Sequence, residues 1–327
     1  MTTTLVPLRT VVTTERFLDV TYYVAKTGTI FENWMGDRVY LGGFALSPDE
    51  ADATTRAQAE LYERYFAHFD YHEERLSTSP YFKPIDDCSL VNTEYHFKDI
   101  LMGPIPPDGR FVKDSTGLAW HFDRDIAVEK ALSEVVERHL SSQIWFRDGM
   151  ITQVGPTINW EEWTINTYTY AHKYALPYAL TVFENVQAGC LLCGASLERN
   201  FSKAQEKSYE ECFLMLGDIL RGNQGVCASP GTVDRLRSLR DRLLSADRAD
   251  QFARKTVSND VKTIADTKFS IFETIALLFG DNTKWSAVQI CEIGGNSLVR
   301  GVIPEALNLY KERELQENRS VVSDPFC

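Results

Sequence analysis

The sequence predicts an α+β protein, with α/β as the alternative. Three observations point there. Strand-like and helix-like segments alternate irregularly along the whole chain, and no low-complexity linker divides it. In addition, three extended segments each run through a glycine-bearing turn into a helix that carries glutamates: "LGGFALSP" (41–48), "DSTGLAW" (114–120) and "CGASL" (193–197). The chain of 327 residues is long for one small domain and short for two full ones, and residues 1–327 read as one interlocked catalytic domain.

The elements follow in order. Residues 1–45 mix β-branched and aromatic residues with turn formers, as in "DVTYYVAKTG" and "DRVYLGGFAL", and predict short strands. "SPDEADATTRAQAELYERYFAHF" then predicts a helix, with Ser47 as N-cap, Pro48 in the first turn, and Asp49 and Glu50 at the positive end of the dipole. Residues 78–117 are rich in Pro, Asp, Gly and Ser and predict loop with one or two strands. A second helix is expected from about Asp125 to Ser142. "TINTYTYAHKYALPYALTVFENVQAGCLLCGASL" predicts two strands of a shared sheet, and Phe201 to about Leu220 a third helix. The charged amphipathic stretch 233–255 predicts a helix or a pair of helices. "WSAVQICEI" and "SLVRGVI" read as strands, the second closed by Pro304.

Bulk composition excludes several classes. At a formal net charge of −12, a nucleic-acid backbone is not the expected partner, since that binding needs a basic surface. ATP remains possible if magnesium offsets the repulsion. Seven cysteines at irregular spacing do not suggest a disulfide framework. The N-terminus lacks a continuous apolar stretch of the signal-peptide kind, and no run approaches the roughly 18 apolar residues of a membrane helix. The expected compartment is a reducing cytoplasm, with no membrane partner.

One helix-like word occurs twice. "AQAELYERYF" (57–66) and "ALSEVVERHL" (131–140) both place two glutamates three residues apart, followed by an arginine. On a helical wheel, Leu61, Tyr62, Tyr65 and Phe66 gather on one side and Glu60, Glu63 and Arg64 on the other. Val135, Val136 and Leu140 likewise oppose Glu134, Glu137 and Arg138. Each word alone is compatible with an amphipathic helix and a solvated charged face. A third helix, "AQEKSYEECFLM" (204–215), shifts the balance. Ala204, Ser208 and Glu211 repeat the spacing of Ala53, Ala57 and Glu60, and of Ala127, Ala131 and Glu134. A small residue one turn before each carboxylate lets a backbone or a ligand come close. Several facing carboxylates repel and protonate unless a cation sits among them, and magnesium is the natural cation where phosphates complete the shell. Arg64 and Arg138 would offset phosphate charge or fix the carboxylates. No Walker or kinase motif is present, so any nucleotide site is of another kind.

These residues resemble the YcaO family. "GGFALSPDEADATTRAQAELYERY", "DSTGLAWHFDRDIAVEKALSEVVERHL", "GASLERNFSKAQEKSYEEC" and "SLVRGVIPEAL" stand in that family's order, over roughly residues 40–305. The resemblance implies interlocked mixed sheets with carboxylate-bearing helices lining an ATP cleft. It implies an ATP- and Mg2+-dependent enzyme that activates a backbone amide oxygen of a ribosomally made peptide. Attack by a neighbouring Cys, Ser or Thr then gives a thiazoline or oxazoline; some members make thioamides or amidines instead. Carried over, Glu60 and Glu63 form the first acidic pair, Glu134 and Glu137 the second, and all four are metal candidates. Glu211 is the lone acid of the third helix, with Ser115 and Gly117 in the nucleotide-contacting turn. The resemblance also implies a precursor peptide and a leader-binding, activating partner protein, and leaves room for an azoline-oxidising flavoprotein. Departures from the family pattern are Arg56 for a serine, Thr116 for an asparagine, and Phe122 and Ile126 for polar residues. Of these, Phe122 and Ile126 favour the rival reading of a non-catalytic YcaO-like scaffold, and the retained acidic pairs oppose it.

Family members often end in a proline-rich tail that enters the active site; here residues 306–327 are short and end in "SVVSDPFC". The Cys327 carboxylate is a candidate for proton transfer. Cys190 and Cys193 form one C-x-x-C without further ligands nearby and read as buried strand cysteines. His121 and His139 are candidate bases, with a structural role the commoner case.

Overall fold

The computed structural model describes residues 9–87, 94–105, 110–112, 115–146, 151–170, 176–185, 187, 190–220, 257–258 and 269–307. The chain forms two compact units, Met1–Val135 with Lys284–Pro304, and Val136–Thr283 with Glu305–Cys327. Cys327, residues 308–327 and the predicted helix at 233–255 lie outside the described residues.

The first unit opens with three antiparallel strands, β1 (Arg9–Phe17), β2 (Val20–Glu32) and β3 (Arg38–Ser47), longer than the short strands expected. Helix α1 (Glu50–Phe66) packs on this sheet through Ala53 and Ala57, against Ala25 and Ala45. Its N-cap is Asp49, whose carboxylate accepts the Asp52 N–H at 2.8 Å. Ser47 is therefore not the cap. It remains in β3 and its hydroxyl accepts the Asp49 N–H. The helix stops where Met102 intervenes: the Met102 N–H donates to Ala67 O, and Met102 O accepts the Phe69 N–H. Helix α2 (Phe69–Leu76) then starts afresh.

The expected loop at 78–117 contains more order than the sequence suggests. It carries β4 (Tyr81–Phe82), β5 (Pro84–Asp87), β6 (Tyr95–His96), the short helix α3 (Phe97–Ile100), β7 (Gly103–Ile105) and β8 (Arg110–Val112). Strand β9 (Leu118–His121) follows, then α4 (Arg124–Phe146), which begins in the first unit and ends in the second.

The second unit holds β10 (Ile151–Trp160), β11 (Trp163–Tyr170), β12 (Tyr178–Asn185) and β13 (Cys190–Leu197), so the segment read as two strands contains three. Helix α5 (Phe201–Leu220) covers β12 and β13. Strand β14 (Val257–Ser258) adds in parallel to β10, giving the order β13-β12-β11-β10-β14. Helix α6 (Ile271–Phe279) starts with a capping box between Ser270 and Glu273.

The chain then returns to the first unit as β15 (Ser286–Ile293) and β16 (Asn296–Val302), which complete the sheet β5-β15-β16-β9. Its core joins Phe66, Phe82, Ile100, Leu101, Val288 and Leu298. His72 is buried within this unit and donates its Nε2 proton to Phe66 O at 2.7 Å. Burial lowers its pKa to about 4.

Three glycines set the distances between helices and strands. A Cβ at Gly43 would lie 1.9 Å from Ala57 O, one at Gly194 2.2 Å from Ser208 O, and one at Gly301 2.8 Å from the Ala131 carbonyl carbon. Helix backbone cannot retreat as a flexible side chain can. Gly43→Ala and Gly194→Ala should each cost about 3 kcal/mol, at the upper end for overpacking. Urea denaturation midpoints would measure this.

Candidate functional site

In α1, the polar face is only partly solvated. It lies along the open edge of β3, and its side chains stand where another strand would pair. Arg64 Nη1 donates to Gly42 O at 2.6 Å, Glu60 Oε2 accepts the Phe44 N–H at 2.6 Å, and Arg56 Nη1 donates to Leu46 O at 3.1 Å. The two periodicities agree. Two residues of strand advance about 6.6 Å and four of helix about 6 Å, so side chains at i, i+4 and i+8 meet alternate backbone groups. Arg64 also pairs with Glu60, which leaves both oxygens of Glu60 engaged. Of the two roles expected for Arg64, fixing a carboxylate is the one seen.

The next acid along the helix serves another strand. Glu63 Oε1 accepts the Trp120 N–H of β9 at 2.9 Å. On α4, Glu134 Oε2 accepts the Gly117 N–H at 3.0 Å. Gly117 has φ +78°, and a Cβ there would lie 2.7 Å from Val135 Cγ2 and 2.8 Å from Gly301 O, so only glycine fits. Its carbonyl accepts the Gly301 N–H at 2.8 Å. Ser115 and Thr116, half-buried, complete the turn, with Ser115 O accepting the Leu118 N–H. The first unit thus brings together Glu60, Glu63, Arg64, Ser115, Gly117 and Glu134.

Electrostatics set Glu63 apart. Its pKa is raised from 4.5 to about 8, first by burial, then by the charges of Glu134 and Glu60. The Trp120 N–H and Arg64 pull the other way and do not compensate. Like charges in a desolvated setting are tolerated here only by holding a proton or by gaining a cation.

The second unit repeats the device. Glu211 Oε2 accepts the Ala195 N–H at 2.9 Å, and Glu137 Oε2 accepts the Leu197 N–H at 3.2 Å. Arg138 Nε lies 4.0 Å from Glu137 Oε1. Behind Glu137, Ser141 Oγ donates to the Glu137 carbonyl and meets the buried Tyr178 hydroxyl at 2.9 Å. Burial pushes the Tyr178 hydroxyl pKa well up, so it stays neutral.

Among the described residues, no group of three or more His, Cys, Asp or Glu side chains forms a ready-made metal cage. Of the departures noted above, Arg56 caps the β3 edge, whereas Phe122 is 75% exposed and Ile126 39% exposed near the start of α4. His139 is buried, accepts the Leu307 N–H at Nδ1 and packs on Phe279, with its pKa lowered to about 4 by burial. This is the structural role expected for a histidine. Cys193 is buried in β13, as expected of a strand cysteine. No helix among the described residues is long and apolar enough to cross a membrane.

Sequence reasoning named the acids but missed the backbone amides that hold them and the glycines that set the approach. A signal existed: Gly43–Leu46 reads "GFAL" and Gly194–Leu197 reads "GASL", a glycine followed by the amide donor in both.

No protein-family model and no curated protein matches the sequence. Solved structures do. The Escherichia coli microcin synthetase McbBCD complex with pro-MccB17 bound is matched at TM-score 0.65 and 14% identity, covering 91% of this chain and 88% of that one. The YcaO from Methanopyrus kandleri bound with AMPPCP and Mg2+ is matched at TM-score 0.55 and 14% identity, covering 92% and 87%. A heterocyclase in complex with substrate and cofactor is matched at TM-score 0.62 and 13% identity; the match covers 88% of this chain but only 48% of that longer one. Mixed helices and small antiparallel sheets in this arrangement are those of the YcaO heterocyclases, and the chain has the YcaO fold.

Proposed function

We propose that the protein is an ATP- and Mg2+-dependent cyclodehydratase that converts Cys, Ser or Thr of a ribosomally made precursor peptide into thiazoline or oxazoline. The observation that carries the reading is Glu63, a carboxylate whose pKa is raised to about 8 by burial and by the neighbouring charges of Glu134 and Glu60. In the first unit, Glu63 and Glu134 are the principal magnesium ligands, with Glu60 beside them held by Arg64. Ser115 and Gly117 contact the nucleotide. In the second unit, Glu137 with Arg138, and Glu211, are further candidates for nucleotide binding, and Glu137 for magnesium. Glu63 keeps Oε1 on the Trp120 amide, which fixes the direction of its second oxygen before any ligand arrives. When bound, ATP supplies the phosphoryl group that takes the amide oxygen away as phosphate after the side-chain nucleophile has added to the amide carbon.

The structures of synthetase complexes among the matches support a partner protein that recruits the peptide. An azoline-oxidising flavoprotein in the same assembly, a cytoplasmic location, and proton transfer by the Cys327 carboxylate belong to the same proposal. Thioamide or amidine formation is the nearest enzymatic alternative, since the nucleophile comes from outside this chain. Exposed Phe122 favours a second reading, a scaffold that binds a partner without turning over ATP.

Two measurements test the proposal. Calorimetry should find Mg2+-dependent ATP binding that weakens about tenfold or more in Glu63→Gln, whose amide oxygen still accepts the Trp120 N–H. Equal binding in both would remove Glu63 from the site. The second is pH dependence in metal-free protein. Because the folded pKa of Glu63 lies above 4.5, the folded state binds the extra proton. Its contribution to stability is full below pH 4.5 and is lost as pH rises through about 8. Relative to Glu63→Gln, wild type should therefore lose stability across that window, by at most ~1.4 kcal/mol per pH unit. His72 and His139 titrate equally in both proteins and cancel. Parallel urea curves at pH 5 and 8 would contradict the assignment.

A further inference from the structure

Strand β1 forms one edge of the first sheet. In the order β1-β2-β3 it pairs with β2 alone among the described strands. The ladder runs unbroken from Arg9 with Gly28 to Phe17 with Val20, without bulge or proline. The turn after it fixes which backbone groups point outward. Leu18 and Asp19 have φ of 48° and 65°, the primed two-residue loop in which the flanking Phe17 and Val20 exchange both N–H···O bonds. Such pairs alternate along an antiparallel ladder, so Arg9, Val11, Thr13, Glu15 and Phe17 direct their backbone groups to β2. Thr10, Val12, Thr14 and Arg16 direct theirs away from the sheet.

Sheets normally blunt such an edge with proline, a bulge, a short strand or charge. Here residues 10–14 are five β-branched residues in a row, which favour extended backbone. Arg9, Val11, Thr13, Thr14 and Arg16 are exposed, Val11 at 50%. Charge is the one device present, and it is placed symmetrically: Arg9 and Glu15 stand three residues to either side of Val12. Gln58 of α1 donates to Thr10 Oγ1 at 3.2 Å, so the even positions face the helix and the odd ones the opposite face.

This strand is complementary to itself. An antiparallel copy centred on Val12 sets Val12 opposite its twin and Thr10 opposite the partner's Thr14, all residues whose backbone groups point outward. The same register sets Arg9 opposite the partner's Glu15, twice, as opposite-charge cross-strand pairs. Sliding one copy by two residues sets Arg9 against the partner's Phe17 or the partner's Thr13 instead, and sliding it by one misaligns the outward groups. We infer that β1 pairs with β1 of a second copy of this chain about a two-fold axis at Val12, joining two three-stranded sheets into one of six strands. A strand edge alone makes a small interface of the weak, exchanging class, so the dimer dissociates with a constant on the order of 10 μM. Neither ATP binding nor turnover enters the inference.

Sedimentation velocity of the full chain in reductant, from about 1 to 200 μM, tests it. Wild type should pass from monomer to dimer across that range. Val12→Pro removes an outward N–H and no bond to β2, so it should keep the far-ultraviolet spectrum and abolish the dimer. Arg9→Glu and Glu15→Arg should each weaken association about tenfold, and the variant carrying both should recover it. The two residues stand about 20 Å apart along one strand, so recovery arises between copies and not within one. A monomer at every concentration would overturn the inference and leave the edge to a different protein. So would a dimer indifferent to Val12→Pro, which would use another surface, or a double variant no tighter than the single ones.

Discussion

The structure depends on helix carboxylates that take the place of a missing strand. Edges of β3, β9 and β13 end in backbone amides that need acceptors, and a buried amide without one costs about 1–3 kcal/mol. Glu60, Glu63, Glu137 and Glu211 supply those acceptors, and Glu134 does the same for the Gly117 turn. The consequence is electrostatic. Satisfying neighbouring strand ends from adjacent helical turns gathers acids that repel one another, so the fold makes an acidic cluster as a by-product of closing its sheet edges. The cost appears at Glu63, which burial and the charges of Glu134 and Glu60 push toward neutrality.

The division of labour among the acids follows from their contacts. Glu60 is committed on both oxygens, to Phe44 and Arg64, and acts mainly as an anchor. Glu63 keeps Oε2 clear of the Trp120 bond, which suits it to a ligand. The repeat of the device in the second unit, with Gly194, Ser208 and Glu211 in the places of Gly43, Ala57 and Glu60, shows the same local solution arising on a different sheet.

Much of this was legible in the sequence because it is periodic. The repeated acidic word, the small residues one turn ahead of it and the glycines before each helix are patterns that helical and strand geometry impose locally. Other features were illegible for physical reasons. The break between α1 and α2 has no glycine or proline to announce it; Met102, far along the chain, makes it. The strands between 78 and 117 span two to four residues and have no room for a period. Strand β12 is buried on both faces, so its run lacks alternation and merged with its neighbour in the sequence reading. That Glu60 and Glu63 accept strand amides, rather than facing solvent alone, is seen only in the structure. Arg56 read as a departure from a nucleotide-binding pattern, and in the structure it is a third rung on the β3 edge.

The most direct test of the account is a crystal structure grown with Mn2+ and a non-hydrolysable ATP analogue, with the metal located by its anomalous scattering. The account predicts a metal about 2.1 Å from a carboxylate oxygen of Glu63 or Glu134, with the Trp120 and Gly117 amide bonds still in place. A nucleotide bound with its metal on neither residue, or carboxylates that must abandon those amides to reach it, would contradict the claim that the sheet edges pre-aim the acids.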